Sequence, residues 1–336
     1  SSFCENKFVL YGAALLHDLG HGPLSHTSEK IFKHDHEQWS EKLVTNYSPI
    51  NSILKKYDNE LPRKISELFQ SKQLFSNPLK TLLSSEIDCD RLDYLLRDSY
   101  NTGTKYGLVD LERIISALTF SPDGGIAIRP KGVIAIEHFL VLRNIMYRTI
   151  YNHRINEISS WILENLIKTI KNDFKDKIWI DTHLKRWIFS IEDLSFDDFL
   201  ATDDVGLVYH LMKWKEEAPE PISTLSKMYI DRRLLKAANI SFLNNIEKLE
   251  LLAYAKKKCE ESNFDSNVFC GIKEKQFRGF ESNNSLKVWD GSYLINLDKA
   301  SQLVKTLMKR EDYSFIIYPE QIQNDIKNRI LIMKDH

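Results

Sequence analysis

The 336-residue sequence contains four cysteines, Cys4, Cys89, Cys259 and Cys270. They form no CxxC pair and follow no regular spacing. That argues against a disulfide framework and against a cysteine-held zinc site. A reducing, cytoplasmic setting is expected. No apolar run approaches about 18 residues, so no membrane-spanning helix is predicted. The opening "SSFCENKFVL" lacks the charged and apolar regions of a signal peptide. It reads as the start of a helix already inside a domain, with native sequence expected upstream. Formal net charge is −1, so no global field draws the chain to nucleic acid or membrane. The basic run "AKKKCEE" is too short to suggest a nuclease groove. No internal repeat or low-complexity tract is evident.

What is present has the balance of a globular protein, 43% hydrophobic and 28% charged. The length allows roughly one to three domains. Helical periodicity dominates the first 240 residues. "KFVLYGAALLHDL" stops at Gly20, Gly22 and Pro23, which terminate helices. "HEQWSEKLVTNY", "LPRKISELFQ" and "PLKTLLSSEIDCDRLDYLLRDSY" are further amphipathic segments. "TFSPDGGIAIRPKGVIAI" places a Pro-Asp-Gly-Gly turn between short β-branched runs and predicts a hairpin. A long helix is predicted over about Ala135 to Lys171. After about Ile240 the pattern shifts. "SLKVWDGSYLINL" and "YSFIIYPEQ" read as strands around a helical "KASQLVKTLMKR", with "FDSNVFCGIKEKQFRGFESNNS" as a connecting loop or strand. The expected fold is mainly α: a helical core with a small hairpin over 1–240, and a smaller C-terminal α+β lobe over 241–336.

Three segments carry chemistry. In "ALLHDLGHGPLSH", His17 and Asp18 are adjacent, and His21 follows four residues after His17. Imidazole plus carboxylate suits a divalent metal. A histidine-rich helix C-terminus that complements the helix dipole fits the segment equally. In "SSEIDCDRLDYLLRDS", Asp90, Tyr94 and Asp98 share one helix stripe, with Cys89, Leu92, Leu95 and Leu96 opposite. A half-buried row of acid, phenol and acid needs a metal or an arginine. An exposed face with pairs such as Asp93–Arg97 is the other reading. In "EHFLVLRNIMYRTIYNHR", Arg143, Tyr147, Tyr151 and Arg154 fall on one predicted helix face. Guanidinium groups and phenols suit a triphosphate and a sugar. An amphipathic interface helix with snorkelling arginines has the same pattern.

Taken together, "HDLGHGPLSH" (17–26), "HEQ" (36–38), "DCDRLDYLLRDS" (88–99) and "RNIMYRTIYNHR" (143–154) resemble the HD-domain phosphohydrolases. Within them the chain is similar to the deoxynucleoside triphosphate triphosphohydrolases related to the sterile-alpha-motif/HD restriction factor. "DRRLLK" (231–236) is a weaker match. The resemblance covers most of residues 8–240. It implies an HD-domain helical core and a divalent metal (Mg, Mn, Fe, Ni or Zn) held by His17, Asp18 and Asp90. The family's first metal histidine has no counterpart here, since no histidine precedes His17. The resemblance implies acid–base roles for His26, Glu29 and His36, and a phosphate-facing role for His21. It implies phosphate or deoxyribose contacts from Arg91, Tyr94, Asp98, Arg143 and Tyr151, and Tyr147, on the same predicted helix face, is read as a further substrate contact.

The implied reaction is attack of water on the α-phosphorus of a dNTP. His26 with Glu29, or His36, handles the proton at the leaving oxygen. The products are a deoxynucleoside and tripolyphosphate. A homo-oligomer and a nucleotide activator are expected partners, and nucleic acid is not favoured. The alternatives are another HD phosphohydrolase (phosphodiesterase, nucleotidase or nuclease) or a degenerate HD domain that binds nucleotides and regulates a partner.

Overall fold

The computed structural model describes residues 6–70, 78–280 and 286–334. Cys4, and residues 281–285 of the predicted connection, lie outside the described residues. In chain order the elements begin with α1 (Lys7–Leu16), α2 (His26–Phe32), α3 (His36–Asn46), α4 (Ser48–Lys55), α5 (Leu61–Gln70), α6 (Pro78–Leu83), α7 (Cys89–Thr102) and α8 (Leu111–Ala117). Strands β1 (Leu118–Phe120) and β2 (Ile126–Ile128) follow, then α9 (Val133–Met146), a π-helical turn (Tyr147–Tyr151) and α10 (Arg154–Asp173). Next come α11 (Thr182–Phe189), α12 (Phe196–Leu200), α13 (Asp204–Glu217), α14 (Ile222–Ile230), β3 (Lys236–Asn239), α15 (Asn245–Glu261), α16 (Ser266–Phe269) and β4 (Gly271–Arg278). The chain closes with β5 (Lys287–Trp289), β6 (Leu294–Asn296), α17 (Leu297–Ala300), α18 (Gln302–Leu307), β7 (Arg310–Tyr318) and α19 (Gln323–Lys334). The protein is mainly α, as expected. No helix among the described residues is long and apolar enough to cross a membrane.

The elements sort into two units, each built from separate stretches of chain. Unit 1 takes the segment ending at Gly20, His36–Asn152 and Arg278–Glu311. Unit 2 takes His21–Asp35, His153–Phe277 and the segment from Asp312 onward. The boundary expected near residue 240 therefore lies inside unit 2.

Unit 1 has two apolar cores. In one, Val9 and Ala13 of α1 pack with Val44, Ile65 and Leu83. In the other, Leu95, Ile114, Ile136 and Phe139 meet Phe280, Val288 and Val304 from far along the chain. The predicted hairpin is present: β1 and β2 pair antiparallel, Leu118 opposite Ile128. β2 then pairs parallel with β5 through Ile128 and Val288, which joins residues 160 positions apart into one sheet. In unit 2, β3 and β7 pair antiparallel with Lys236 opposite Tyr318. Leu251, Ala255 and Cys259 of α15 pack there with Ile316, Ile322 and Ile326. Asn244 and Glu247 form a capping box that starts α15.

Three predicted elements are interrupted. The segment 78–100 is two helices, α6 and α7, because the buried Asp88 carboxylate caps α7 by accepting from the Arg91 amide at 2.7 Å. "KASQLVKTLMKR" is likewise split into α17 and α18 at Ser301, whose hydroxyl accepts from the Val304 amide. The long helix expected over 135–171 is α9, a π-helical turn and α10, with a break at Asn152 and His153.

Candidate functional site

α1 ends at Leu16 and His17 occupies its C-cap position. His17 Nδ1 donates to the Ala14 carbonyl oxygen at 2.9 Å. This assigns the ring proton to Nδ1 and leaves Nε2 as a lone-pair donor. Nε2 lies 3.4 Å from Asp18 Oδ1 and 3.8 Å from Asp90 Oδ1. Burial pushes the Asp90 carboxyl above its ordinary range; His17 opposes the shift, and the like charge of Asp18 adds to it. A nitrogen lone pair and two crowded carboxylates form a donor set that a cation would satisfy.

The spacing fits such an ion. Ligands about 2.1 Å from one metal sit about 3.0–3.4 Å apart, close to the distances seen here. His17, Asp18 and Asp90 could thus hold a divalent metal, with N and O donors suited to a first-row transition ion or magnesium.

The turn after α1 is pinned to α3. The Ser40 hydroxyl donates to the His17 carbonyl at 2.5 Å and accepts from the Gly20 amide at 2.8 Å. Gly20 is required by close approach: a Cβ there would lie 2.0 Å from the His36 carbonyl oxygen. His36, the first residue of α3, thus has its carbonyl packed against the Gly20 backbone.

α7 also carries Tyr94 and Asp98, one and two turns beyond Asp90. Tyr151 donates to Asp98 Oδ2 at 2.6 Å, and the Tyr94 and Tyr147 hydroxyls lie 3.2 Å apart. Tyr151 meets both Tyr94 and Tyr147 edge-on, with ring centroids 5.8 and 5.0 Å away. Burial pushes both the Tyr94 and Tyr151 phenols far up, so both stay neutral hydrogen-bonding groups at neutral pH. Three phenols and a carboxylate make a wall suited to a sugar ring and its hydroxyl.

The arginines are held by acidic partners. Arg143 and Tyr147 lie one α-helical turn apart at the end of α9; from Tyr147 the π-helical turn changes the angular step and α10 starts afresh at Arg154, so the single predicted helix does not run on to Arg154. Arg143 is 7% exposed. It pairs with Glu86 Oε2 at 2.6 Å and donates to the Glu86 and Gly279 carbonyls. Arg91 is held by the Asp88 carboxylate and the Ser85 carbonyl. Arg143→Ala is expected to cost about 3–5 kcal/mol in urea unfolding, because it leaves a buried Glu86 charge unpaired.

In unit 2, His21, His26 and Glu29 come together. Glu29 Oε1 lies 3.2 Å from His26 Nδ1 and 3.3 Å from His21 Nδ1, and the two rings meet edge-on at 4.5 Å. The i, i+3 spacing of His26 and Glu29 on α2 makes the contact. α1 has ended before His21, so the four-residue spacing of His17 and His21 is not a helical one. Leu24 and Ser25 instead turn the chain with φ of 65° and 53° just before His26. Each costs about 1–3 kcal/mol for a residue with a Cβ, and such strain collects at functional sites. Asp204 Oδ1 accepts from the Leu24 amide at 2.7 Å and steadies the turn.

The residue reading passed over Ser40, Glu86 and Asp88. Ser40 stands four residues after His36, on the same face of α3, and Asp88 precedes the apolar run as a helix cap does. Those were the available signals. Glu86 had none, because its partner is 57 residues away.

The HD domain family model matches residues 4–98, and the HD associated region model matches residues 109–330. The uncharacterized protein YwfO of Bacillus subtilis is 34% identical over 69% of this chain and 53% of its own length. The chain thus spans about half of that relative. The deoxynucleoside triphosphate triphosphohydrolase SAMHD1 homolog of Dictyostelium discoideum is 30% identical over 46% of this chain and 31% of its own. The crystal structure of a phosphohydrolase from Bacteroides thetaiotaomicron superposes with a TM-score of 0.76 at 24% identity, covering 93% of this chain and 79% of that one. It supports the fold. With both family models spanning most of its length, the chain belongs to the HD-domain family.

Proposed function

We propose that this protein hydrolyses deoxynucleoside triphosphates to deoxynucleoside and tripolyphosphate, using a divalent metal at His17, Asp18 and Asp90. The observation that carries the reading is on α7. One helix presents Asp90 to the metal donor set and, about 12 Å further along, Asp98 to a cluster of three tyrosines. That spacing suits a phosphate at one end and a sugar at the other.

A bound metal would act as a Lewis acid on the α-phosphoryl group. The protein's own residues supply the rest. Asp98 and Tyr151 orient the sugar, with the aromatic edges of Tyr94 and Tyr147 against its ring. Such a wall disfavours a 2′-hydroxyl that finds no partner. The family resemblance supports a role for His26, with Glu29, as donor of a proton to the departing O5′, a phosphate-facing role for His21, and His36 as the second candidate for proton transfer.

An activating nucleotide belongs to the same reading. A cavity of about 570 Å³ in unit 2 is lined by Arg154, Arg232, Lys236 and Lys327, with Ile158 and Tyr318 as its apolar walls. Four basic side chains around it support a phosphate-bearing occupant. A homo-oligomer is proposed on the same family grounds.

The test is product analysis with each dNTP and Mn²⁺, singly and mixed. Deoxynucleoside plus tripolyphosphate is the expected result, and turnover only in the mixture would support activation by nucleotide. Release of dNMP would move the assignment to another phosphoester. Metal binding without turnover would favour a regulatory, nucleotide-binding HD domain.

A further inference from the structure

We propose that Ser40 is a positioning residue for the His17–Asp18 metal ligands. The proposal rests on the metal reading of His17, Asp18 and Asp90, and adds to it the device that holds two of the three ligands in place.

The last carbonyls of a helix have no partner within the helix. The His17 carbonyl is one of these, at the point where α1 gives way to a turn. Ser40 Oγ donates to it at 2.5 Å and accepts the Gly20 amide at 2.8 Å. One hydroxyl therefore clamps both ends of the four-residue turn His17–Gly20. Ser40 is 0% exposed, so water cannot take over these bonds in its absence. Its own position is set by α3, where it lies one turn beyond His36. The Gly20 backbone sits so close that a Cβ would fall 2.5 Å from the Ser40 amide. The side chains of His17 and Asp18 leave the backbone within this clamped turn. Their approach to Asp90, on α7, depends on the turn keeping its geometry. Ser40 touches neither metal nor substrate; it acts on the ligands through the backbone that carries them.

The experiment is Mn²⁺ titration of the full chain, with free Mn²⁺ followed by electron paramagnetic resonance. The comparison uses wild type, Ser40→Ala, Ser40→Cys and Asp90→Asn, with folding checked by circular dichroism. Ser40→Ala is expected to raise the Kd about 10–100-fold, as loss of outer-shell support does at other metal sites. Ser40→Cys keeps a weak donor and acceptor, and its Kd is expected between the two. If the alanine variant does not fold, the cysteine variant decides by the same criterion. Folded Ser40→Ala protein binding within about twofold of wild type would overturn the role of Ser40 and leave the metal reading standing. No binding by wild type, or equal binding by Asp90→Asn, would overturn the metal reading and the Ser40 proposal with it.

Discussion

Asp90→Asn is expected to remove metal binding and to lower turnover by more than about 100-fold, beyond what outer-shell changes cost. The substitution is nearly isosteric and sits in the first turn of α7, so the helix should survive it. Its effect on stability separates it from a folding defect. In the metal-free protein Asp90 and Asp18 crowd the same His17 nitrogen, and burial already holds the Asp90 carboxyl above its ordinary range. Removing that charge relieves the crowding, so metal-free Asp90→Asn should melt at or above the wild-type temperature. Added Mn²⁺ should reverse the order. A ligand at 100 times its Kd stabilises the folded state by about 2.7 kcal/mol, and the wild type alone should show that gain. Thermal melts with and without Mn²⁺ read both effects. A variant that loses activity while still gaining stability from Mn²⁺ would remove Asp90 from the ligand set.

His26→Ala is expected to lower kcat by about 10²–10⁴-fold with little change in KM or Mn²⁺ affinity, the span usual for a lost general acid. The His26 side chain is 72% exposed, so its removal should leave the melting temperature nearly unchanged. Glu29→Gln should cost less, because it keeps the shape but not the charge that orients the imidazole. Steady-state kinetics distinguishes the two. Equal kcat in wild type and His26→Ala would pass the acid role to His36.

The Arg143–Glu86 pair shows where reading by periodicity stops. Helical spacing correctly grouped Tyr147 with Tyr151, and Tyr94 with Asp98, because each pair is fixed by a single turn of local backbone. The same spacing put Arg143 on one face with the tyrosines, but it could not show what holds the guanidinium: a carboxylate 57 residues earlier and a carbonyl 136 residues later. A charged side chain goes where its desolvation is best compensated, and distant partners leave no trace in local pattern. The π-helical turn is similar. Nothing in "YRTIY" distinguishes a π turn from an α turn; the packing of Tyr94 and Tyr147 against the Tyr151 ring accompanies it.

By itself the sequence determined the mainly helical fold, the hairpin at residues 118–128, and the candidate residues His17, Asp18 and Asp90. These rest on side-chain periodicity, on turn residues and on motif order, all properties of neighbours along the chain. Only the tertiary structure decided the rest. It wove two units out of alternating segments and buried Arg143 against Glu86. It also set Ser40 across the His17–Gly20 turn. Each of these depends on groups brought together from far apart: Ile128 on Val288, Glu86 on Arg143, Ser40 on His17. Burial and hydrogen-bond satisfaction select such pairs in the folded molecule as a whole, and one-dimensional spacing carries no record of them.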